Sequence, residues 1–382
     1  MKSRKFLSVF ISVVVVLCFQ CCKPKQEPVK QEPVPEAKEE KAAAGEPTPA
    51  EEPKKASPYD GLPEPGTRTV KGGIVLEEVS FESKGPTGDC ELRGTLSMPK
   101  EPGQYPAGII IHGSGSQNRN LDYTTPDGRN IHPYKDIAEH LSKEGFAVLR
   151  YDKRSYLCTK TMINPEATPD IFVDDAKTAL RYLAGREEVA KDRLFVVGHS
   201  QGANFAHIVA ADSDAGVAAV ILMAGIFEPI DETLIRQFGD WENDPTLSQK
   251  QKADPAAVKY FDDMKEKLPG LFKQIREGSY PPDKPAVGKN DHARFWKEWI
   301  AMTEGAKDDV KKVTCPLLYV RGSDDWEVQE SNVKTLDAAM KGRKNYASIS
   351  IEGLGHLFVR PTSMVVDKEL LDKLTAWMKS VL

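Results

Sequence analysis

The sequence predicts an α/β domain, a mostly parallel sheet of eight strands flanked by helices and interrupted by one helical insertion. Three observations lead there. Short apolar runs alternate with amphipathic segments along most of the chain beyond residue 67. Three of the runs end in glycine-bearing turns that carry, in chain order, a serine, an aspartate and a histidine. Finally, about 90 residues separate the strand pattern ending at Ala224 from the one opening at Cys315, where a simple crossover needs a few tens.

Strands read at about 74–82, 90–98, 107–112, 146–151, 193–198, 217–224, 315–321 and 346–351. Helices read near 133–144, 169–185, 201–212, 330–341 and 366–381. The last keeps Val366, Leu370, Leu374, Trp377 and Val381 on one stripe of 3.6-residue period, and Val173, Ala176, Leu180 and Leu183 do the same in the second. Residues 227–309 read as a helical cap containing Phe238, Trp241, Tyr260, Phe261, Phe272, Tyr280, Phe295, Trp296 and Trp299.

The most informative pentapeptide is Gly198-His199-Ser200-Gln201-Gly202. It follows the apolar run Leu194-Phe195-Val196-Val197 and precedes the small-residue helix pattern of residues 203–211. Strand, G-x-S-x-G, helix is the context of a nucleophile elbow, a sharp and strained turn that presents a serine Oγ. Glycines at 198 and 202 remove side chains that would strike the flanking strand and helix. A serine hydroxyl is a weak nucleophile at neutral pH, so it needs an imidazole to take its proton and a carboxylate to orient the imidazole.

Downstream, two histidines follow residue 207. His292 sits in a polar, helix-like stretch with no strand before it, whereas His356 follows the strand pattern 346–351 and a glycine turn. His356 is therefore the candidate base. The turn after Pro316–Gly322 holds Asp324 and Asp325, whose adjacent side chains point in different directions. Asp325 is the favoured acid, three residues after Gly322 and three before Val328; Asp324 is the alternative, and otherwise caps the helix from Ser331 or is solvated.

Together with Ile109-Ile110-Ile111-His112-Gly113-Ser114-Gly115 and Leu149-Arg150-Tyr151-Asp152-Lys153-Arg154, these residues resemble the α/β-hydrolase family. Within it the chain is similar to bacterial serine esterases related to dienelactone hydrolase and to acyl-peptidase-like hydrolases, over roughly residues 74–382. The resemblance implies cleavage of a small acyl ester through an acyl-enzyme, with Ser200, His356 and Asp325 as a triad and with neither cofactor nor metal. The oxyanion would be met by two backbone N–H groups. One is that of Gln201 at a helix N-terminus, where free N–H groups and the dipole favour an anion; the other, by the family's pattern, is that of Ser114. His112 and His199 read as structural residues. Relatives usually continue the Tyr-Asp-x-Arg strand with glycines; here Ser155-Tyr156-Leu157-Cys158 follows, so substrate preference does not carry over. The cap leaves the C-terminal side of the sheet and should cover Ser200, its aromatics either lining an acyl pocket or forming the cap's own core. An acyl-peptidase, a thioesterase or an acyltransferase would use the same triad, and a non-catalytic binding protein would usually have lost one member of it.

The chain of 382 residues begins with Lys2, Arg4 and Lys5, then an apolar core from Phe6 to Phe19 that is short for a bilayer span. Cys18-Phe19-Gln20-Cys21-Cys22 follows in place of an A-x-A cleavage site. Residues 1–22 thus read as the signal of an exported, membrane-anchored lipoprotein facing the periplasm or cell surface, acylated at Cys21 or Cys22. Residues 23–66 hold ten of the 27 prolines with alternating Glu and Lys, a composition expected to form a disordered tether before a domain at 67–382. Of the six cysteines, Cys90, Cys158 and Cys315 lie in the domain; the odd number leaves at least one thiol free, and Cys90 and Cys315 read as packing residues. The formal net charge of −5 has no basic stripe that would suit nucleic acid.

Overall fold

The computed structural model describes residues 59–382; the signal, Cys21, Cys22 and residues 23–58 lie outside the described residues. Nine strands form the main sheet: β1 (Arg68–Lys71), β2 (Ile74–Ser83), β3 (Cys90–Pro99), β4 (Tyr105–Ile111), β5 (Ala147–Tyr151), β6 (Val189–His199), β7 (Val217–Met223), β8 (Leu317–Gly322) and β9 (Tyr346–Ile351). Their order across the sheet is β1-β2-β3-β5-β4-β6-β7-β8-β9. Pairings up to β3–β5 are antiparallel and the rest parallel. Eight strands are the predicted ones; β1 is an addition. All four of its residues are exposed, so hydropathy gives no sign of it. What makes it a strand is the Gly72-Gly73 turn, both residues at positive φ, which folds Lys71 back opposite Ile74.

Alternation along the parallel strands builds two cores. In β4, Ile109 and Ile111 enter one and Ile110 the other; in β7, Val220 and Leu222 oppose Ile221 and Met223. The helices are α1 (Pro133–Lys143), α2 (Asp170–Ala184), α3 (Gln201–Ala211), α4 (Ile230–Gly239), α5 (Pro255–Glu277), α6 (Ala293–Asp309), α7 (Glu330–Ala339) and α8 (Lys368–Val381), besides shorter turns. α1 and α8 cover one face; α2 and α3 cover the other. In α8, Asp367 accepts a hydrogen bond from the Leu370 N–H, while Leu370, Leu371, Leu374 and Met378 are buried. Truncating such a leucine costs about 2–5 kcal/mol and losing the cap about 1, so packing, more than capping, holds this helix. Met378 takes the buried place expected of Trp377, which stays half-buried.

Within residues 59–66, read from sequence as the end of the tether, Tyr59 and Leu62 rest on the domain while the other residues are exposed. Tyr59 donates its hydroxyl to the Glu91 carbonyl at 2.8 Å, Arg93 lies over its ring, and Leu62 rests against the core. In the predicted cap, α4, α5 and α6 build a third apolar cluster of their own, and α6 packs on α3. Trp296 and Trp299 are fully buried in that cluster.

Cys90 and Cys315 are both buried, as expected; Cys90 also forms a disulfide with Cys158, and Cys315 is the free thiol. Three cysteines allow three pairings, and a separation of 68 residues gives sequence no basis for choosing among them. The bond ties the start of β3 to the helical turns Arg154–Leu157 and Thr159–Met162. Closing so long a loop restricts the unfolded chain, and Cys158→Ser is expected to lower unfolding stability by about 2–4 kcal/mol. Denaturant midpoints of the oxidised wild type and the variant check this; coincident midpoints would contradict it.

Candidate active site

β6 delivers His199 to the sheet edge and α3 starts at Gln201, leaving Ser200 to make the turn alone. Its backbone takes φ 56° and ψ −122°, a conformation that costs a non-glycine residue about 1–3 kcal/mol. Two bonds hold it there: the Ser200 N–H donates to the Met223 carbonyl at 2.8 Å, and the Ser200 carbonyl accepts from the Ala203 N–H at 2.9 Å. A Cβ at Gly202 would lie 2.2 Å from the Ile111 carbonyl oxygen, and one at Gly198 2.3 Å from that of Gly202. Only glycines permit so close a seat of α3 on the end of β4.

The second and third turns bring Asp325 and His356 together. His356 Nδ1 donates to Asp325 Oδ2 at 2.9 Å, while Asp325 Oδ1 accepts from the N–H groups of Glu327 and Val328, each at 2.9 Å. That leaves His356 Nε2 for the reacting side. Asp324 is exposed and its carboxylate accepts from Ser323, so of the two offered alternatives it is the solvated one, not a cap of α7. His356 packs on His199, ring centroids 4.8 Å apart. Ser200 Oγ and His356 Nε2 are both buried with no hydrogen-bond partner among the described residues.

His199 does more than pack. Its Nε2 lies 3.0 Å from the His356 carbonyl, which can only accept, so that nitrogen carries the proton of the neutral ring and Nδ1 accepts from the Tyr134 hydroxyl at 2.9 Å. Burial keeps the ring neutral, pushing its pKa down to about 3. The Tyr134 oxygen in turn accepts from the Gly113 N–H at 2.9 Å. One chain of bonds thus links the turn of His356, the elbow and the Gly113 turn. His112 is also buried and neutral, its ring edge-on to Tyr134 and Tyr151. Ser114 is buried beside Gly113, its carbonyl accepting from Gln117 Nε2 at 2.7 Å.

Two residues that the sequence reading passed over belong to this site. Glu327 is buried, with Oε2 3.7 Å from His356 Nε2. Burial alone would push the His356 pKa down, but the charge of Asp325, then that of Glu327, and the Asp325 hydrogen bond outweigh it and lift the pKa to about 9. Lys153 is buried as well, and burial pushes its pKa down to about 7 against the pull of Asp175. Neither was legible as a site residue, because each reaches it only through tertiary contact. A cavity of about 80 Å³ opens beside Gly115 and Gln201, lined also by Lys153, Phe172, Asp291 and Phe295. Among the described residues no cluster of His, Cys, Asp or Glu is arranged to hold a metal ion.

Comparison with known proteins bears on this geometry. Residues 128–360, more than half of the chain, match the family model described as serine aminopeptidase, S33. Esterase EstD of Thermotoga maritima is 27% identical over 315 residues, spanning 79% of this chain and 69% of that protein. Among solved structures, ferulic acid-bound Est1E from Butyrivibrio proteoclasticus superposes with a TM-score of 0.50 at 18% identity, covering 76% of this chain and 95% of its own. DcsB in complex with its substrate analogue gives a TM-score of 0.51 at 17% identity, covering 80% and 100%. At these identities the two structures establish the α/β-hydrolase fold.

The raised pKa of His356 has a direct kinetic consequence. Were His356 the general base of an ester hydrolase, it would work only when neutral, and kcat/KM for an uncharged ester would climb as pH rises toward about 9. Glu327→Gln removes a charge that favours the imidazolium and should move this acidic limb to lower pH. Asp325→Asn should lower kcat by about 10⁴-fold through loss of the correct tautomer, with Asp324→Asn nearly silent. A limb that stays put in Glu327→Gln, or the reverse ranking of the two aspartates, would contradict these assignments.

Proposed function

From the premise that this chain belongs to the serine aminopeptidase S33 family and is an α/β-fold hydrolase, we propose that it cleaves carboxylic esters through an acyl-enzyme on Ser200. Ser200 Oγ attacks the ester carbonyl carbon while its proton passes to His356 Nε2, and Asp325 holds the resulting imidazolium through Nδ1. The negative charge that develops on the carbonyl oxygen is met by the N–H groups of Gln201 and Ser114. Collapse expels the alcohol, which leaves with the proton from His356. Water then attacks the acyl-enzyme by the same route, and the acid departs.

The observation that carries this reading is a strained Ser200 together with a His356 fixed by Asp325 at Nδ1, both reactive atoms buried and without hydrogen-bond partners among the described residues. A buried hydroxyl and ring nitrogen left unbonded cost free energy, and substrate chemistry gives them a use. The name of the Thermotoga relative points the same way. An amide-cleaving reading draws on the family's own description, and on Glu327 as a buried carboxylate beside the reacting nitrogen that could meet a substrate amine.

We assign the acyl group to the cavity beside Gly115 and Gln201, whose volume of about 80 Å³ suits short chains. Phe295 lines it, whereas Trp296 and Trp299, candidates from sequence to line an acyl pocket, lie in the cap's core. Ser200→Ala should lose about 10⁴-fold or more in kcat and all labelling by a fluorophosphonate. A panel of p-nitrophenyl esters, thioesters and aminoacyl anilides should show short esters turned over fastest. Phe295→Ala should shift preference toward longer chains by about 1–3 kcal/mol in relative kcat/KM. Trp296→Ala should keep the profile and lose about 3–5 kcal/mol of stability. Undiminished turnover in Ser200→Ala, or anilides preferred over every ester, would sink the reading.

We further propose that the protein is exported and lipid-anchored through Cys21 or Cys22, facing the periplasm or cell surface. The Cys90–Cys158 disulfide supports an oxidising compartment. No helix among the described residues is long and apolar enough to cross a membrane. Wild-type protein is expected in the membrane fraction, and Cys21→Ser/Cys22→Ser protein is expected to leave it; a wild type wholly in the soluble fraction would contradict the anchor.

A further inference from the structure

We infer that Lys153 is a positioning residue for the oxyanion hole, clamping the peptide that carries the Ser114 N–H to the side chain of Gln201, whose backbone supplies the other N–H. The inference rests on the ester-hydrolase reading above. Lys153 Nζ donates to the Gly113 carbonyl at 2.5 Å and to Gln201 Oε1 at 2.9 Å. The Gly113 carbonyl and the Ser114 N–H belong to a single peptide unit, planar and trans. In such a unit C=O and N–H point in opposite directions, so a donor fixed on the carbonyl sets where the N–H aims. The amide on the other side of Gly113 is also pinned, its N–H donating to Tyr134 at 2.9 Å. Neither plane flanking Gly113 can turn without breaking a buried bond.

The same ammonium couples this turn to the elbow. Gln201 is the first residue of α3, directly after the strained Ser200, and its N–H has no carbonyl one turn earlier in the helix to bond. Tying its side chain to Lys153 sets the start of α3 against the Gly113 turn. The two donors come from segments far apart in sequence, and Lys153 bonds to both residues. Its sequence neighbours serve elsewhere: Asp152 pairs with Arg119, and Arg154 with Asp175. Lys153 itself makes no ion pair among the described residues, and its ammonium lies 4.4 Å over the Phe172 ring. An ammonium is costly to bury; here both of its hydrogen bonds end on the oxyanion turn and the elbow. Each bond needs one N–H, so the neutral amine also satisfies both.

Lys153→Met keeps length and removes every donor. With p-nitrophenyl acetate, kcat is expected to fall about 10- to 100-fold, somewhat less than outright loss of an oxyanion donor, with KM within about threefold. Affinity for an alkyl boronic acid, whose serine adduct places an oxygen in the hole, should fall by the same factor. A merely structural lysine would not couple the two. A kcat within twofold of wild type, or a boronate affinity unchanged while kcat falls, overturns the inference. Should Lys153→Met fail to fold, Gln201→Leu decides: it removes one acceptor of Lys153 and keeps the backbone N–H, and equal losses in kcat and boronate affinity are expected, unchanged values being contrary. Failure of the wild type to hydrolyse esters and to take up a fluorophosphonate at Ser200 would instead overturn the underlying reading, and this inference with it.

Discussion

The seat of α3 on the end of β4 is the contact from which the candidate active site is built. Backbone approaches backbone there because residues 198 and 202 have no Cβ: a methyl at Gly202 would sit 2.2 Å from the Ile111 carbonyl oxygen. The approach forces Ser200 into its left-handed turn and aims the N-terminus of α3 at the same spot as the Gly113 turn that follows β4. Strain at one residue, about 1–3 kcal/mol, is small against the packing that opposes its release. Val196, Phe205 and Val209 beside it have no exposed surface, and each buried side chain of this kind contributes about 1.5–3 kcal/mol. The elbow is held by the sheet and not by its own sequence alone.

Around that contact lies an unusually polar interior. Asp325, Glu327, His356, Lys153, His199 and Tyr134 are all buried, and four are held by backbone groups: Asp325 by two N–H groups, His199 by the His356 carbonyl, Lys153 by the Gly113 carbonyl and Tyr134 by the Gly113 N–H. Backbone partners cannot rotate away, so such bonds preorganise charges more firmly than side-chain pairs would. The ion pairs farther out, Arg119–Asp152 and Arg154–Asp175, fix the segment after β5 from both sides of Lys153. Buried pairs add little net stability, but removing one partner costs about 3–5 kcal/mol; their effect is to fix a geometry.

Legibility followed the range of the interaction. The elbow could be read because strand, glycines and helix are contiguous, and Asp325 and His356 because each closes a strand pattern with a turn. Gly72-Gly73 could have revealed β1, whose exposed Arg-Thr-Val-Lys carries no hydropathic signal. Glu327 was visible as a letter two places beyond Asp325, but that it faces His356 Nε2 depends on β8 and β9 being neighbours. Lys153 stood inside a recognised Tyr-Asp-x-Arg strand, at the position the motif leaves open. Trp296 and Trp299 show the opposite limit: aromatic residues at helical spacing suit a pocket or a core equally well, and only the packing of α6 on α5 and α3 separates the two.

The arrangement of the cysteines bears on how the chain acquires its covalent form. Synthesis runs from N- to C-terminus, so Cys90 and Cys158 are both available well before Cys315 exists to compete for either of them. Once the sheet closes, Cys315 lies buried at the entrance to β8, and burial raises its thiol pKa to about 11. Thiol–disulfide exchange requires a thiolate with access to sulfur, and Cys315 then offers neither. Among the three cysteines of the domain, the order of synthesis favours the native pairing, and the core afterwards keeps Cys315 from scrambling it.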